Sequence, residues 1–306
     1  MPNTTTGTEA ELLKEYWRDI FLSELRASLI FDQIALTATH PANMGTTVHW
    51  LSLADLTAAG TISQSFDPTS YALSAGDLTA GLLQYGASVT LSDLVKKTAV
   101  GSFISQLMER LARNASLTLD TVIRDSVLTA GGTLQLAGTA VARNSIATDG
   151  SFDFDIAELR EALNTLGRNN VPAIGDSYVA IVHPDVKHDL IGDSNWVDLV
   201  RYTDNVERVY KNEIGRTYGT RFIESTQALL MDASGSASTD VYQTYIVGQE
   251  YLGISNLSDV EIIVKDPAPK SDLNVVSTYG WKATRAHKEL SSTRMIRVES
   301  GSSIGD

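Results

Sequence analysis

The sequence predicts an α+β protein in which an extended segment and one long helix accompany a compact region of alternating strands and helices. Three patterns lead to this class: few charges over 41–96, apolar residues at helical spacing over 102–130, and alternating strand and helix signals over 151–265. A chain of 306 residues can bury a sizeable core as one large domain or two modest ones.

The composition narrows the classes of function. The net charge of −13 argues against a protein that reads nucleic acid, because phosphate binding needs a surplus of Lys and Arg on some face. The same charge suits a wall that encloses DNA without holding it. The absence of cysteine excludes disulfides and thiolate metal sites and fits a reducing cytoplasm. We expect neither a signal peptide nor a membrane span, since no apolar run approaches the ~20 residues that cross a bilayer.

Residues 8–36 have the apolar pattern of an amphipathic helix, with Tyr16, Trp17 and Phe21 near one face. Two interpretations stay open at this point. The helix docks on its own domain, or it is an arm that clasps a neighbouring subunit, where Trp and Tyr are enriched as anchors.

Residues 41–96 differ from the rest of the chain in having almost no charge. Thr46–Leu53 and Ser88–Leu94 have the pattern of strands, and some three dozen turn-forming residues lie between them, including Phe66 and Tyr71. A connection this long without a core of its own is usually functional, and a two-stranded arm is barely stable alone in water. We therefore expect this arm to lie on another surface.

The long helix is predicted over Ser102–Ala130. Its apolar residues recur at three- and four-residue steps, Ser102 can cap its start, and Gly131 and Gly132 can supply the left-handed residue that often ends a helix. At ~1.5 Å per residue such a helix is about 43 Å long. It is either an ordinary core helix or a rod on which extended arms are mounted.

A polar connection is predicted over Thr133–Gly150, followed by an α/β region. Asp155 and Glu158 form a capping-box pattern that opens a helix closing near Gly167, and Pro184 starts another helix. The predicted strands are Ser177–His183, Tyr218–Ser225, Val241–Val247 and Val260–Lys265, with a surface loop over Met231–Thr239.

The C-terminal part holds two more strand patterns and several basic residues. Tyr279–Lys288 and Arg294–Glu299 are expected as a closing pair that returns to the long helix. The basic residues are Lys282, Arg285, Lys288, Arg294 and Arg297. They could contact phosphate, but salt bridges between subunits are favoured because the whole chain is so acidic.

One cluster, His183, Asp185 and His188, resembles a metal site in composition and offers the alternative of a metal-dependent hydrolase. Two histidine ligands on one helix face are typically four residues apart, whereas these are five apart with Pro184 between them. The favoured interpretation is an acidic first helical turn with an exposed His188. The sequence shows no nucleophile elbow, phosphate-binding loop or dinucleotide fingerprint, and we predict no enzyme activity, catalytic residue, metal or cofactor.

The most specific motif is Lys211–Ser225, KNEIGRTYGTRFIES. It resembles a segment of the major capsid proteins of tailed bacteriophages, in the N-four-like podophage group, where a Gly-Glu-Ile-Gly-like turn leads into a Gly-x-Arg-Phe-Ile-Glu strand. Asn212 replaces the first glycine of that turn, a change that a turn can absorb. Other segments follow in the family's order over about residues 10–300: Gly45–Val48, Gln84–Gly86, Val89–Asp93, Tyr178–Pro184 and Tyr279–Lys282.

This resemblance implies the capsid fold named after phage Hong Kong 97. The expected parts are an N-terminal arm (1–40), an E-loop hairpin (41–96), a peripheral or P domain (97–150 and 266–306, with the spine helix 102–130) and an axial or A domain (151–265). In that fold the loops of the A domain meet around fivefold and quasi-sixfold axes.

The implied function is that of a major capsid protein, which self-assembles as pentamers and hexamers into the icosahedral shell around a double-stranded DNA genome. The implied partners are further copies of the chain and portal, scaffolding and decoration proteins, without sequence-specific DNA binding. The implied location is the virion, after assembly in the bacterial host cytoplasm. The expected inter-subunit contacts are Tyr16, Trp17, Phe21, Phe66, Tyr71, Arg285, Arg294 and Arg297. An encapsulin-like nanocompartment shell with enzyme cargo is the rival interpretation.

Overall fold

The computed structural model describes residues 18–304, except 23, 26–28, 54–55, 57, 59, 62–69, 99–102, 149, 194–195, 197–214, 266–272 and 274. The strands of this part are β1 Ala35–Thr39, β2 Thr47–Leu53, β3 Ala75–Gly81, β4 Leu83–Ser92, β5 Thr133–Leu136, β6 Tyr178–Val182, β7 Arg216–Thr217, β8 Thr220–Glu224, β9 Leu230–Met231, β10 Val241–Val247, β11 Leu252–Lys265, β12 Val276–Glu289 and β13 Met295–Ser300. The α-helices are Asp93–Thr98, Phe103–Ile123, Ile156–Arg168 and Pro184–Gly192, and residues 18–22 and 24–25 are also helical.

The long helix is confirmed as Phe103–Ile123, and it continues into a π-helical turn, Arg124–Leu128. Its apolar face is buried, as the three- and four-residue spacing predicted. After the helix the chain turns at Gly132, which adopts a φ of +70° and lies against Met295. A side chain at position 132 would collide with Met295. In the part of the chain that the structure describes, no helix has the length and apolarity that crossing a membrane requires.

A four-stranded sheet packs on this helix, with the strand order β1-β11-β12-β4. Tyr279, Trp281 and Ala283 of β12 share a hydrophobic cluster with the buried residues of the helix. The indole N–H of Trp281 also donates a hydrogen bond to Oδ1 of Asn114 on the helix (3.1 Å). The helix therefore forms the second layer of an α-on-β unit.

A seven-stranded sheet has the order β5-β13-β10-β6-β8-β7, with β9 beside β10. One face is covered by the helices Ile156–Arg168 and Pro184–Gly192, and the other by Phe31 and the end of the long helix. Because both faces are covered, all seven residues of β10 are buried. The predicted cap at Asp155 is confirmed, since its side chain accepts a hydrogen bond from the N–H of Glu158 (2.9 Å). The Glu158 carboxylate does not complete a capping box, because it accepts from Gln135 and Gly138 instead.

Tyr279–Lys288 and Arg294–Glu299 were expected to pair with each other, and this is wrong. Both strands do return to the long helix, as expected. β12 lies in the four-stranded sheet, whereas β13 lies in the seven-stranded sheet between β10 and β5. Both strands still contact the long helix or its end, because Arg297 of β13 donates to the carbonyls of Thr129 and Gly131. The segment Thr133–Gly150, predicted as a connection, contains the strand β5. The partner strand of β5 is β13, which lies more than 150 residues later in the chain.

The segment 41–96 contains a two-stranded hairpin, β2–β3, called the hairpin below. The strand predicted at Thr46–Leu53 is confirmed as β2. Its partner β3 was not predicted. The strand predicted at Ser88–Leu94 belongs to the longer β4, which pairs with β12 in the four-stranded sheet instead of extending the arm.

Candidate functional site

The two faces of the hairpin differ in their surroundings. Side chains alternate along a strand, so Val48 and Trp50 share one face while Leu51 and Leu53 lie on the other. Val48 is buried, and the Trp50 indole lies over Gly253 of β11, where an added Cβ would be 3.1 Å from Nε1. Leu51 and Leu53 are 72% and 54% exposed. The hairpin is thus seated on its own subunit by one face and presents leucines on the other.

The hairpin strands carry almost no charge. Their only ionisable side chains are His49 and Asp77, which form a diagonal pair across the two strands with 2.8 Å between His49 Nδ1 and an Asp77 carboxylate oxygen. Both are exposed, so the pair contributes little to the free energy of folding. A surface with apolar side chains and one compensated pair can be covered by another protein surface with little desolvation of charge.

A groove of about 660 Å³ lies between the hairpin and the end of β12. Its lining includes Leu78 of the hairpin, Leu83 of β4 and Leu290, beside polar residues from the end of β12. Leu83 is 55% exposed. Leu78 is paired with Trp50, so the groove lies on the face of the hairpin that is seated on the subunit, while Leu51 and Leu53 lie on the opposite face.

Tyr71 lies in the connection between the two hairpin strands. It is 49% exposed, and its hydroxyl donates a hydrogen bond to the carbonyl of Ala58 (3.3 Å). Its predicted contact with another subunit stays a prediction. Tyr16, Trp17 and Phe66 lie outside the described residues, and their predicted contacts stay predictions.

Phe21 lies in the core of its own subunit. Its side chain is 0% exposed and belongs to the cluster that contains Met108, Leu111 and Trp281. In this conformation it offers no surface to another chain, which fits the alternative of a helix docked on its own domain.

The three predicted contact arginines have acidic partners in the same subunit. Arg285 is buried and forms two contacts with the carboxylate of Asp32 (3.0 and 3.3 Å). Arg294 contacts Glu250 (2.5 Å), and Arg297 lies 3.5 Å from Glu299. The sequence analysis predicted that these arginines form salt bridges, but it placed the acidic partners in neighbouring subunits. The local sequence does not distinguish a salt bridge within a subunit from one between subunits.

Glu299 is the centre of a buried polar network that the sequence did not reveal. It is 0% exposed and accepts two hydrogen bonds from Arg143 (2.8 and 2.6 Å) and one from Gln243 Nε2 (3.0 Å). This contact raises the pKa of Arg143. The partners are 156 and 56 residues away in the chain, so no short-range pattern could have predicted them.

Asp120, on the long helix, is a second buried carboxyl group. It accepts backbone hydrogen bonds from Ile30 (3.2 Å) and Phe31 (3.4 Å) and thereby attaches the segment before β1 to the helix. Burial raises the pKa of Asp120 to about 7, with the charge of Asp32 adding to the effect, although the two N–H groups act in the opposite direction.

The residues of the proposed hydrolase site have other roles. His183 caps the helix that starts at Pro184, and Asp185 accepts a hydrogen bond from the hydroxyl of Tyr242 (2.9 Å). His188 is exposed, as the favoured interpretation expected, and lies 3.4 Å from Asp189. Among the described residues, no three His, Cys, Asp or Glu side chains are grouped as metal ligands would be.

Comparison with known proteins identifies the family of this chain. A family model described as phage capsid protein matches residues 76–286, more than half of the chain. This chain belongs to the phage capsid protein family. It is a major capsid protein and a component of the virion, and its role is structural.

Solved capsid structures share the fold of this capsid protein. The capsid of the cyanophage P-SCSP1u superposes with a TM-score of 0.69 at 13% identity, covering 88% of this chain and 87% of that chain. The capsid of Ralstonia phage GP4 gives 0.67 at 12% identity, with 88% and 87% covered. The head of Helicobacter pylori bacteriophage KHP40 gives 0.64 at 12% identity, with 88% and 90% covered. No curated protein sequence matches the chain. The prediction of a Hong Kong 97-type fold is confirmed.

Proposed function

We propose that this capsid protein assembles, as pentamers and hexamers, into the icosahedral shell that encloses the double-stranded DNA of a tailed phage. The observation that carries the proposal is the hairpin, which presents Leu51 and Leu53 to solvent. Fully burying one leucine side chain contributes about 1.5–3 kcal/mol, which an isolated subunit does not gain. A neighbouring subunit that covers this face would supply it.

The four parts of the chain are assigned to the regions of the capsid fold as follows from the resemblance. We assign 1–40 to an N-terminal arm, 41–96 to the E-loop, 97–150 with 266–306 to the P domain, and 151–265 to the A domain. The packing of β12 on the long helix supports joining the C-terminal part to the P domain. The pairing of β13 with β10, and of β5 with β13, favours a modified division in which these two strands belong with the A domain.

The remaining partners follow from enclosing a genome. A net charge of −13 leaves the wall without a general attraction for DNA, so the genome can be packed and released. A closed shell that is filled through one vertex needs a portal, and controlled closure needs a scaffold. We include both as partners, together with decoration proteins and assembly in the bacterial host cytoplasm.

The direct test is electron microscopy and sedimentation of the purified protein, with a hairpin variant beside it. Closed particles, or rings of five and six, are expected for the unaltered chain. Leu51→Asp with Leu53→Asp should weaken subunit association by at least about tenfold, because charges would be buried in an apolar contact. Leu117→Asp with Leu257→Asp is the matched control, since these leucines are 50% and 38% exposed but lie outside the hairpin. Equal assembly of both variants would contradict the assignment of the hairpin.

The particle contents separate the phage head from the rival nanocompartment. Encapsidated double-stranded DNA supports a phage head, whereas a protein cargo without DNA supports the nanocompartment shell.

The aromatic residues outside the described part need a separate test. We expect Trp17→Ala to weaken assembly more than it lowers the melting temperature of the subunit. An equal effect on assembly and on the melting temperature would mean that Trp17 is an ordinary core residue.

A further inference from the structure

A titratable pair lies beside the exposed leucines of the hairpin. His49 and Leu51 are two residues apart on β2, so their side chains share one face. Asp77 of β3 is the partner of Leu51, and directly opposite residues of a strand pair have their Cβ atoms about 5 Å apart on the same face. A partner surface that covers Leu51 therefore also covers the pair of His49 and Asp77.

The pair is formed at the surface of the subunit. The distance between His49 Nδ1 and an Asp77 carboxylate oxygen is 2.8 Å, and both side chains are more than half exposed. Water screens the attraction between exposed groups of this kind. Folding of the subunit therefore does not depend on the pair.

The other ionisable groups near the hairpin belong to the strand that it packs against. His287, Lys288 and Glu289, at the end of β12, line the groove between that strand and the hairpin. Lys288 and Glu289 have opposite charges. Burial lowers the pKa of His287, and the charge of Arg285 acts in the same direction. The end of β12 therefore adds no net charge beside the hairpin near neutral pH.

The net charge of the pair depends on pH. Histidine is the side chain that gains or loses its charge between about pH 5 and 8, whereas aspartate is ionised over this range. The pair is therefore neutral when His49 is protonated and has a charge of −1 when it is not. Removing an uncompensated charge from water costs more than removing a charge that keeps its partner.

We propose that the pair of His49 and Asp77 makes association of the exposed hairpin face with a second copy of this chain depend on pH, with up to one proton taken up per contact. This inference rests on the proposed shell function. Covering the face favours the protonated imidazole, because the neutral pair costs less to desolvate. By linkage, the association constant falls as the pH rises through the range in which histidine loses its proton.

A second copy is the occupant that the charges favour. Two copies with a net charge of −13 each repel one another, so they associate most readily through surfaces of low charge. The two strands of the hairpin carry no ionisable side chain other than His49 and Asp77. The exposed face is therefore such a surface when His49 is protonated.

The first experiment compares the full-length protein with a variant that cannot titrate at this site. His49→Gln with Asp77→Asn keeps two polar side chains of similar size but removes both charges. Between about pH 5.5 and 8, the association constant of the unaltered protein, relative to this double variant, should fall about three- to tenfold. Sedimentation and electron microscopy over a pH series measure it, and every other titrating group is common to both proteins. Equal pH dependence of the two proteins would overturn the proposal.

The second experiment reverses the sign of the effect. In Asp77→Asn the histidine has no anion beside it, so covering the face favours the neutral imidazole. Its association, relative to the double variant, should strengthen as the pH rises. In His49→Gln the carboxylate has no cation, so association should be weaker than that of the double variant over the whole range. An Asp77→Asn variant whose relative association still falls with rising pH would contradict the proposal.

Another exposed histidine beside an aspartate supplies the matched control. His188 lies outside the hairpin, on the helix Pro184–Gly192, with its Nδ1 3.4 Å from Asp189. His188→Gln removes a histidine of the same kind and should leave the pH dependence of association unchanged. A loss of pH dependence equal to that of the double variant would show that the effect does not belong to the hairpin.

Subunit stability and the shell function are separated by two further readouts. The melting temperature of the subunit should differ by no more than about 2 °C between the unaltered protein and the double variant, because the pair is exposed. A larger fall would mean that the pair acts in folding and would count against the proposal. Failure of the shell function has a different signature, because then the unaltered protein itself would form no particles at any pH of the series.

Discussion

The hairpin and the seven-stranded sheet are both built from alternating side chains, but they end in opposite surroundings. In the sheet, both faces are covered within the subunit, and every residue of β10 is buried. In the hairpin, one face is seated on β11, while Leu51 and Leu53 remain exposed. The comparison teaches that the sheet is stabilised within the subunit, whereas the exposed face of the hairpin gains nothing from folding and, on the proposed function, is covered on assembly. Substitutions in the two regions should therefore change different measurements.

The largest effect is expected in the core of the sheet. Phe154 is 0% exposed and packs in the cluster beneath the helix Ile156–Arg168. Phe154→Ala should lower the free energy of unfolding of the subunit by about 3–5 kcal/mol through the cavity it leaves. Thermal or urea unfolding of the subunit measures this, with Phe154→Leu as the milder control. A loss below about 1 kcal/mol would contradict the self-contained sheet.

The core of the subunit should also carry a pH dependence, through the buried carboxyl group of Asp120. The pKa of Asp120 is raised from 3.8 to about 7 in the folded chain, so folding retains a proton that the unfolded chain releases. Its contribution to stability is therefore fully present below about pH 4 and is lost as the pH rises towards 7. The unfolding free energy of the wild type, relative to Asp120→Asn, should fall over this window by up to about 4 kcal/mol.

The control for this pH dependence is Asp125→Asn. Asp125 is on the same helical segment, and its side chain is 55% exposed. Chemical unfolding at a series of pH values measures both variants. A difference between the wild type and Asp120→Asn that does not change with pH would contradict the role of Asp120.

A smaller effect is expected where the sheet region meets solvent. Asp155 caps the helix Ile156–Arg168 through the N–H of Glu158. Asp155→Ala should lower the free energy of unfolding by about 1 kcal/mol, whereas Asp155→Ser, which keeps a capping oxygen, should lose less. Thermal melts that rank the two variants in the reverse order would argue against the cap.

The smallest effect on the isolated subunit is expected in the hairpin. Leu51→Ser should change the free energy of unfolding by no more than about 0.5 kcal/mol, because the side chain is 72% exposed. Val48→Ser, on the same strand but with its side chain buried, should lower it more. If Leu51→Ser destabilises the subunit as much as Val48→Ser does, the contrast between the two faces fails.

Local signals predicted individual elements well. The helix beginning after Asp155, the helix beginning at Pro184 and the strand Val241–Val247 all depend on spacing or capping within a few residues, and the structure confirms them. The candidate site was predicted in part. The low-charge arm was recognised, but its second strand β3 was missed, because its small residues carry no clear strand pattern.

By itself, the sequence determined the long helix, the capped helices, the charge-poor arm and, through its ordered motifs, the capsid family. The tertiary structure alone decided that β5 joins β13, that Arg285 binds Asp32 and that Glu299 binds Arg143. The physical reason is range. Capping and periodicity act over a few residues, whereas strand order and buried ion pairs join segments that only the packed chain brings together.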